Sequence, residues 1–135
     1  MSYRMCMVVL MAVAATAAQA QNCVADLPGG RIVETDHYQL AYRTQPPKIV
    51  IGRHFTMDVA VCAKAGGTAV EALAVDAFMP EHRHGMNYRP AAQAQGGGRY
   101  RIEGLMFHMP GRWDLYFDIQ GGGRHERLTD ANVLR

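Results

Sequence analysis

The feature that most constrains the fold is the regular alternation of apolar and polar side chains. It is clearest over residues 55–62 and 113–119, where every second residue is a large apolar one. Successive side chains of an extended strand point to opposite faces, so each segment has one apolar face that must be buried. The side chains that we expect to point into the core are Phe55, Met57, Val59, Val61, Trp113, Leu115 and Phe117.

Five further segments have the short, apolar character of strands, and turn signals separate them. They are residues 37–43, 48–51, 73–79, 100–106 and 125–128, divided by prolines 46 and 47 and by the glycine triplets 96–98 and 121–123. No segment after the N-terminal region has the periodicity of an amphipathic helix. We therefore expect an all-β fold, an antiparallel two-layer β-sandwich of about seven strands. A small closed barrel is the alternative.

The N-terminal residues have the three parts of an export signal. Arg4 supplies a positive charge, residues 5–18 are apolar, and residues 18–20 form a small-x-small cleavage pattern. We expect residues 1–20 to be a signal peptide and residues 21–135 to be one mature domain, periplasmic or secreted. An uncleaved anchor is the alternative, but the apolar run is shorter than the roughly 20 residues that span a bilayer. We expect no transmembrane segment in the mature chain.

Two cysteines remain after the predicted cleavage. Cys6 belongs to the signal peptide, which leaves Cys23 and Cys62. A single pair in an oxidising compartment favours a disulfide bond. Free or metal-binding thiols are the alternative.

The composition argues against several classes of function. The formal net charge is +2, and no basic stripe with interleaved aromatic residues suggests a nucleic-acid partner. The chain has no Gly-x-Ser-x-Gly elbow, no phosphate-binding loop and no serine after Ser2. Paired carboxylates for acid–base chemistry are not evident either. We therefore expect the protein not to be an enzyme.

Histidine and methionine are concentrated in two short segments. The candidate metal ligands are His82, His84, Met86, His108 and Met109, with Met79 and Met106 beside them. If residues 82–86 are extended, every second side chain projects to the same side. Imidazole binds several transition metals and thioether sulfur favours Cu(I), so a mixed set indicates copper more than zinc.

An interpretation without metal binding is also open for the same residues. Exposed histidines are common, and methionine usually fills gaps in a core. On that interpretation Met79 and Met109 are core residues and the histidines are only solvated. We treat His37, His54 and His125 as ordinary surface residues.

Two segments of the chain resemble the YtkA-like domain family. They are residues 75–86, with the pattern Met-Pro-x-His-x-His-Gly-Met, and residues 98–115, with His-Met-Pro-Gly-x-Trp. The family comprises small exported bacterial domains, similar in style to FixH-like proteins, and the resemblance covers roughly residues 35–120. It implies an immunoglobulin-like β-sandwich. Some relatives look like metal-handling proteins near copper or cytochrome systems, whereas others lack the histidines.

Three functions compete at this point. The first is a periplasmic copper carrier or buffer, whose partner is another periplasmic or membrane-bound redox or copper-handling protein. The second is a non-catalytic interaction module that docks on a membrane or redox complex without bound metal. The third is a small-molecule binding domain that uses the aromatic side chains of Tyr38, Tyr42 and Trp113.

Overall fold

The alternating segments form β-strands in the computed structural model, which describes residues 27–135. The nine strands of this part are β1 (Arg31–Glu34), β2 (Tyr38–Gln45), β3 (His54–Ala63), β4 (Ala72–Met79), β5 (His84–Gly85), β6 (Ala91–Gly96), β7 (Arg99–Met106), β8 (Gly111–Gly121) and β9 (Arg124–Leu134). Residues 27–135 contain no helix, and so none that is long and apolar enough to span a bilayer. The predicted signal peptide and Cys23 lie outside the described residues.

The strands form two antiparallel sheets. The first has the order β1-β2-β3-β7-β6 and the second the order β5-β4-β8-β9. Every pairing is antiparallel. The prediction of an all-β sandwich is therefore confirmed, and the closed barrel is not formed.

The strand count differs from the expected seven because edge elements have weak sequence signals. Strand β6 consists of small and polar residues and lies at the edge of the first sheet, where it buries little. Strand β5 has only two residues. Residues 48–51, expected to be a strand, are not one, because they follow two prolines that interrupt pairing and lead into a turn at Gly52. Strand β9 continues well past residue 128, to Leu134.

The inner faces of both sheets meet in one hydrophobic core. All seven side chains expected to point inward are at most 3% exposed. Trp113, Phe117 and Ile119 of β8 are fully buried and face Leu40, Tyr42 and other side chains of the first sheet. The alternation in the sequence therefore gives the correct inward face.

A smaller apolar cluster covers the outer face of the first sheet. It contains Leu27, Ala41, Ala60 and Cys62. Cys62 is 5% exposed and pairs with Gln39 in the register of β2 and β3. Its predicted disulfide partner, Cys23, precedes the described residues, so the bond stays a prediction.

Candidate metal centre

His82 and His84 are positioned by the tight connection between β4 and β5. The backbone N–H of Arg83 donates to the carbonyl of Met79 over 2.9 Å, and Met79 then pairs with His84. Arg83 adopts a φ of 55°, in the left-handed region. The idea that residues 82–86 form one extended run is therefore wrong for residues 82 and 83, because a turn occupies them.

His108 lies in the connection that carries the chain from the first sheet to the second. The preceding residue, Phe107, is fully buried and stacks on Trp113 with ring centroids 4.9 Å apart and planes 11° apart. The indole N–H of Trp113 donates to the carbonyl of Met109 over 3.0 Å. These two contacts, one on each side of His108, fix the backbone that carries it.

We call the three histidines of the two segments the histidine row, because the ring of His84 neighbours the rings of both others. The ring centroids of His84 and His108 are 5.1 Å apart, and those of His82 and His84 are 5.9 Å apart. Trp113 lies beneath the row, since its ring meets His108 edge to face at 5.3 Å and His84 at 5.8 Å. His84 and His108 are half-buried, whereas His82 in the turn is exposed.

Hydrogen bonding distinguishes the ring nitrogens of the two central histidines. Nδ1 of His84 lies 3.0 Å from the carbonyl oxygen of Gly85. A carbonyl only accepts, so Nδ1 is the donor of this hydrogen bond, and in the neutral ring Nε2 is then the nitrogen with a lone pair. Nδ1 of His108 is buried and has no hydrogen-bond partner among the described residues. An unpartnered buried polar atom costs about 1–3 kcal/mol, so this ring lacks an interaction that an ion would supply.

The row is not a complete metal site of nitrogen, oxygen or thiolate ligands. Within residues 27–135, no three His, Cys, Asp or Glu side chains are grouped closely enough to hold a metal ion as they stand. Met86 and Met109, the two thioethers predicted beside the histidines, are half-buried and pack against the core. Met79 is fully buried. The structure therefore brings the imidazoles of His84 and His108 together, with His82 at the exposed end.

Gly111 allows β8 to approach the turn that carries His82. A Cβ atom at Gly111 would lie 2.7 Å from Cε of Met79 and 3.5 Å from Oε2 of Glu81, and the residue has a φ of 123°. Any side chain here would push on the fully buried Met79, which precedes the turn. In the sequence this glycine stands out only as part of the His-Met-Pro-Gly-x-Trp pattern.

The contact of Trp113 with His84 and His108 is the feature of the site that the sequence pattern does not predict. The place of Trp113 in an alternating strand correctly indicates a core residue, and that assignment hides its second role beneath two histidines. The sequence contains one clue to this role, because Trp113 follows His108 by only five residues. That short separation permits the hydrogen bond from the indole N–H to the carbonyl of Met109.

The remaining histidines lie elsewhere. Nδ1 of His37 is 2.6 Å from Oε1 of Glu126, and Nε2 of His125 is 3.4 Å from Oδ1 of Asp118. Asp118 also accepts two hydrogen bonds from Arg127, which hold the pKa of its carboxyl below the usual range.

The aromatic side chains considered for small-molecule binding are core residues. Tyr38, Tyr42 and Trp113 are at most 2% exposed. A cleft of about 350 Å³ reaches Tyr42 from the side, between the first sheet and Asn132 and Leu134 of β9. The Tyr42 hydroxyl donates to Asp130 over 2.6 Å, and burial with this carboxylate raises the pKa of Tyr42. The rings of Tyr38, Tyr42 and Trp113 are thus occupied by packing in the core.

Comparisons with known proteins identify the family and the fold. A search of curated proteins gives no significant match. Among solved structures, a DUF4426 family protein from Pseudomonas aeruginosa PAO1 is similar with a TM-score of 0.54 at 8% identity, covering 78% of this chain and 94% of that one. At that identity the likeness concerns the fold alone. The family model described as YtkA-like matches residues 33–118, so the chain belongs to the YtkA-like family.

Proposed function

We propose that this protein is exported and binds a copper ion at His84 and His108 as a carrier or buffer, without catalysis. The observation that carries the proposal is the buried, unpartnered Nδ1 of His108 in a ring whose centroid is 5.1 Å from that of His84. When two imidazoles bind the same ion, each has a nitrogen about 2 Å from it. Their ring centroids then lie about as far apart as those of His84 and His108 do here.

The donor atoms follow from the hydrogen bonds. His84 offers Nε2, because Nδ1 is held by the Gly85 carbonyl in the way that metal-binding imidazoles are commonly oriented. A metal ion at Nδ1 of His108 would supply the partner that this atom lacks. His82, exposed in the turn with its ring centroid 5.9 Å from that of His84, is the candidate for a third nitrogen ligand.

Copper fits these residues better than zinc. Met86 and Met109 each lie within two residues of a central histidine, and thioether sulfur favours Cu(I) while imidazole binds Cu(II). Cys62 lies in the other sheet, with the outer-face cluster, so no thiolate of the described residues belongs to this set. One site could then retain both oxidation states.

A carrier role suits the partial exposure of the ligands. His82 is exposed, so a copper-handling or redox protein in the periplasm could approach the ion from the turn and take it by ligand exchange. Export is expected from the signal-like residues 1–20 and agrees with the exported character of the family that the chain resembles.

The test is a competitive copper titration of the mature protein with a chromophoric chelator. The double variant His84→Ala with His108→Ala should lose at least about 100-fold in affinity, since second-shell changes alone cost 10–100-fold. His125→Ala, an exposed histidine on β9, is the matched control and should leave the affinity unchanged. Equal affinity of the double variant and the wild type would contradict the proposal and favour the interaction module.

A further inference from the structure

A second pair of candidate metal ligands, one imidazole and one thioether, lies on the outer face of the first sheet. His54 of β3 is directly opposite Met106 of β7. The next pair in the register, Phe55 and Leu105, points into the core, with exposures of 3% and 0%. Because neighbouring residues of a strand face opposite ways, His54 and Met106 point outward together. Directly opposed residues have Cβ atoms about 4.5–5.5 Å apart, which lets an imidazole and a thioether reach one ion.

The ring of His54 is held in place by an aromatic neighbour. Tyr88 meets it edge to face, with centroids 4.8 Å apart and planes 71° apart. Tyr88 comes from the connection between β5 and β6 and is 44% exposed. His54 is itself exposed and Met106 is half-buried, so the pair is accessible while the aromatic contact restricts the histidine.

We propose that His54 and Met106 form a second, exposed site that binds Cu(I). One imidazole nitrogen and one thioether sulfur suit this soft ion, and two protein ligands leave positions open for a ligand from another molecule. Binding is consequently weaker and faster to exchange than at a site with more protein ligands.

The pair is close to the histidine row along the backbone. Met106 is the last residue of β7, and His108 follows two residues later. Between them, the carbonyl of Phe107 accepts the backbone N–H of Gly52 over 2.8 Å, which ties the start of the connection to the segment before β3. Met106, one ligand of the pair, thus lies two residues along the chain from His108. A role of the His54–Met106 pair in passing copper to the histidine row would rest on the proposed function. Binding of Cu(I) at the pair itself does not.

The test separates the two sites by anaerobic NMR titration with Cu(I) supplied as its acetonitrile complex. The protein carries ¹³C-methyl methionine and the changes His82→Ala, His84→Ala and His108→Ala, which remove the histidine row. The Met106 methyl and the His54 ring signals should shift together and saturate. In wild-type protein the same two signals should also shift and saturate, after the first equivalent of Cu(I) where the histidine row takes it, so the result does not depend on how well the triple variant folds.

Two substitutions decide between a site and nonspecific contact. Met106→Leu should weaken the Cu(I) affinity read at the His54 ring at least about tenfold, and His54→Gln should do the same for the affinity read at the Met106 methyl. His125→Ala should change neither. Absence of a shift at Met106 and His54, or a shift unchanged by both substitutions, would overturn the proposal. If the signals of the pair shift from the first addition of Cu(I) to the wild-type protein, the pair binds and the histidine row does not. That result would contradict only the proposed function of the histidine row.

Discussion

The imidazole rings of His84 and His108 lie 5.1 Å apart, although His84 belongs to the edge strand of one sheet and His108 to the connection that leaves the other. Neither local segment creates this contact alone. The β4–β5 turn positions His84, and the stacking of Phe107 on Trp113 positions the backbone that carries His108. The candidate site is therefore a product of the packing of the two sheets.

Trp113 should be the most sensitive single position for stability. Its side chain is fully buried, stacks on Phe107 and donates to the Met109 carbonyl. Trp113→Ala should lower the free energy of unfolding by about 3–5 kcal/mol in urea denaturation, through the lost contacts and the cavity. Val133→Ala, at a side chain 64% exposed, should change it by less than about 0.5 kcal/mol. Similar stabilities for the two variants would show that Trp113 is not packed as described.

The disulfide between Cys23 and Cys62 should form in exported protein. Cys62 is buried on the outer face of the first sheet with Leu27, which lies only a few residues after Cys23. The bond would close a loop of roughly 40 residues and contribute about 3–4 kcal/mol in the chain-entropy model. Thiol titration of the denatured, unreduced protein should give no free thiol, and reduction should lower the melting temperature. Two reactive thiols per mature chain would contradict the prediction.

The Asp118–Arg127 pair should contribute to stability only above acidic pH. Two hydrogen bonds from Arg127 lower the pKa of Asp118, so the native state favours the ionised carboxyl. A lowered native pKa gives stability that is present above the unfolded value of about 3.9 and is lost as the pH falls below it. The exposed pair is worth less than about 1 kcal/mol.

Asp118→Asn should therefore destabilise the protein slightly at pH 6 and not at pH 2, measured by denaturation at both values. Arg127→Gln should have the same pH dependence, and combining the two should add little, because both substitutions break the same Asp118–Arg127 ion pair. An equal loss of stability at both pH values would point to packing instead of charge.

The strongest strands of the fold could be predicted from the sequence, whereas the site could be predicted only as a set of residues. Strands β3 and β8 carry a period of two with large apolar side chains, and that pattern alone fixes their inward faces. Strand β6, with alanine, glutamine and glycine, has no such signal and forms because β7 offers it an edge. Ring contacts such as that between His84 and His108 depend on the packing of two sheets, which no local pattern encodes.

His54 illustrates the same limit. As an isolated histidine at the start of β3, it has the sequence character of a surface residue. Only the register of β3 with β7 places it opposite Met106, and only the β5–β6 connection brings Tyr88 against its ring. Long-range register determines which side chains can act together.

Pulsed electron paramagnetic resonance of the protein loaded with one equivalent of Cu(II) tests the central claim most directly, because it counts the imidazoles bound to the ion. The wild type should show at least two coordinated imidazole nitrogens, and His84→Ala and His108→Ala should each remove one, while His125→Ala should leave the spectrum unchanged. Identical spectra for the wild type and both site variants would contradict the assignment of copper to His84 and His108.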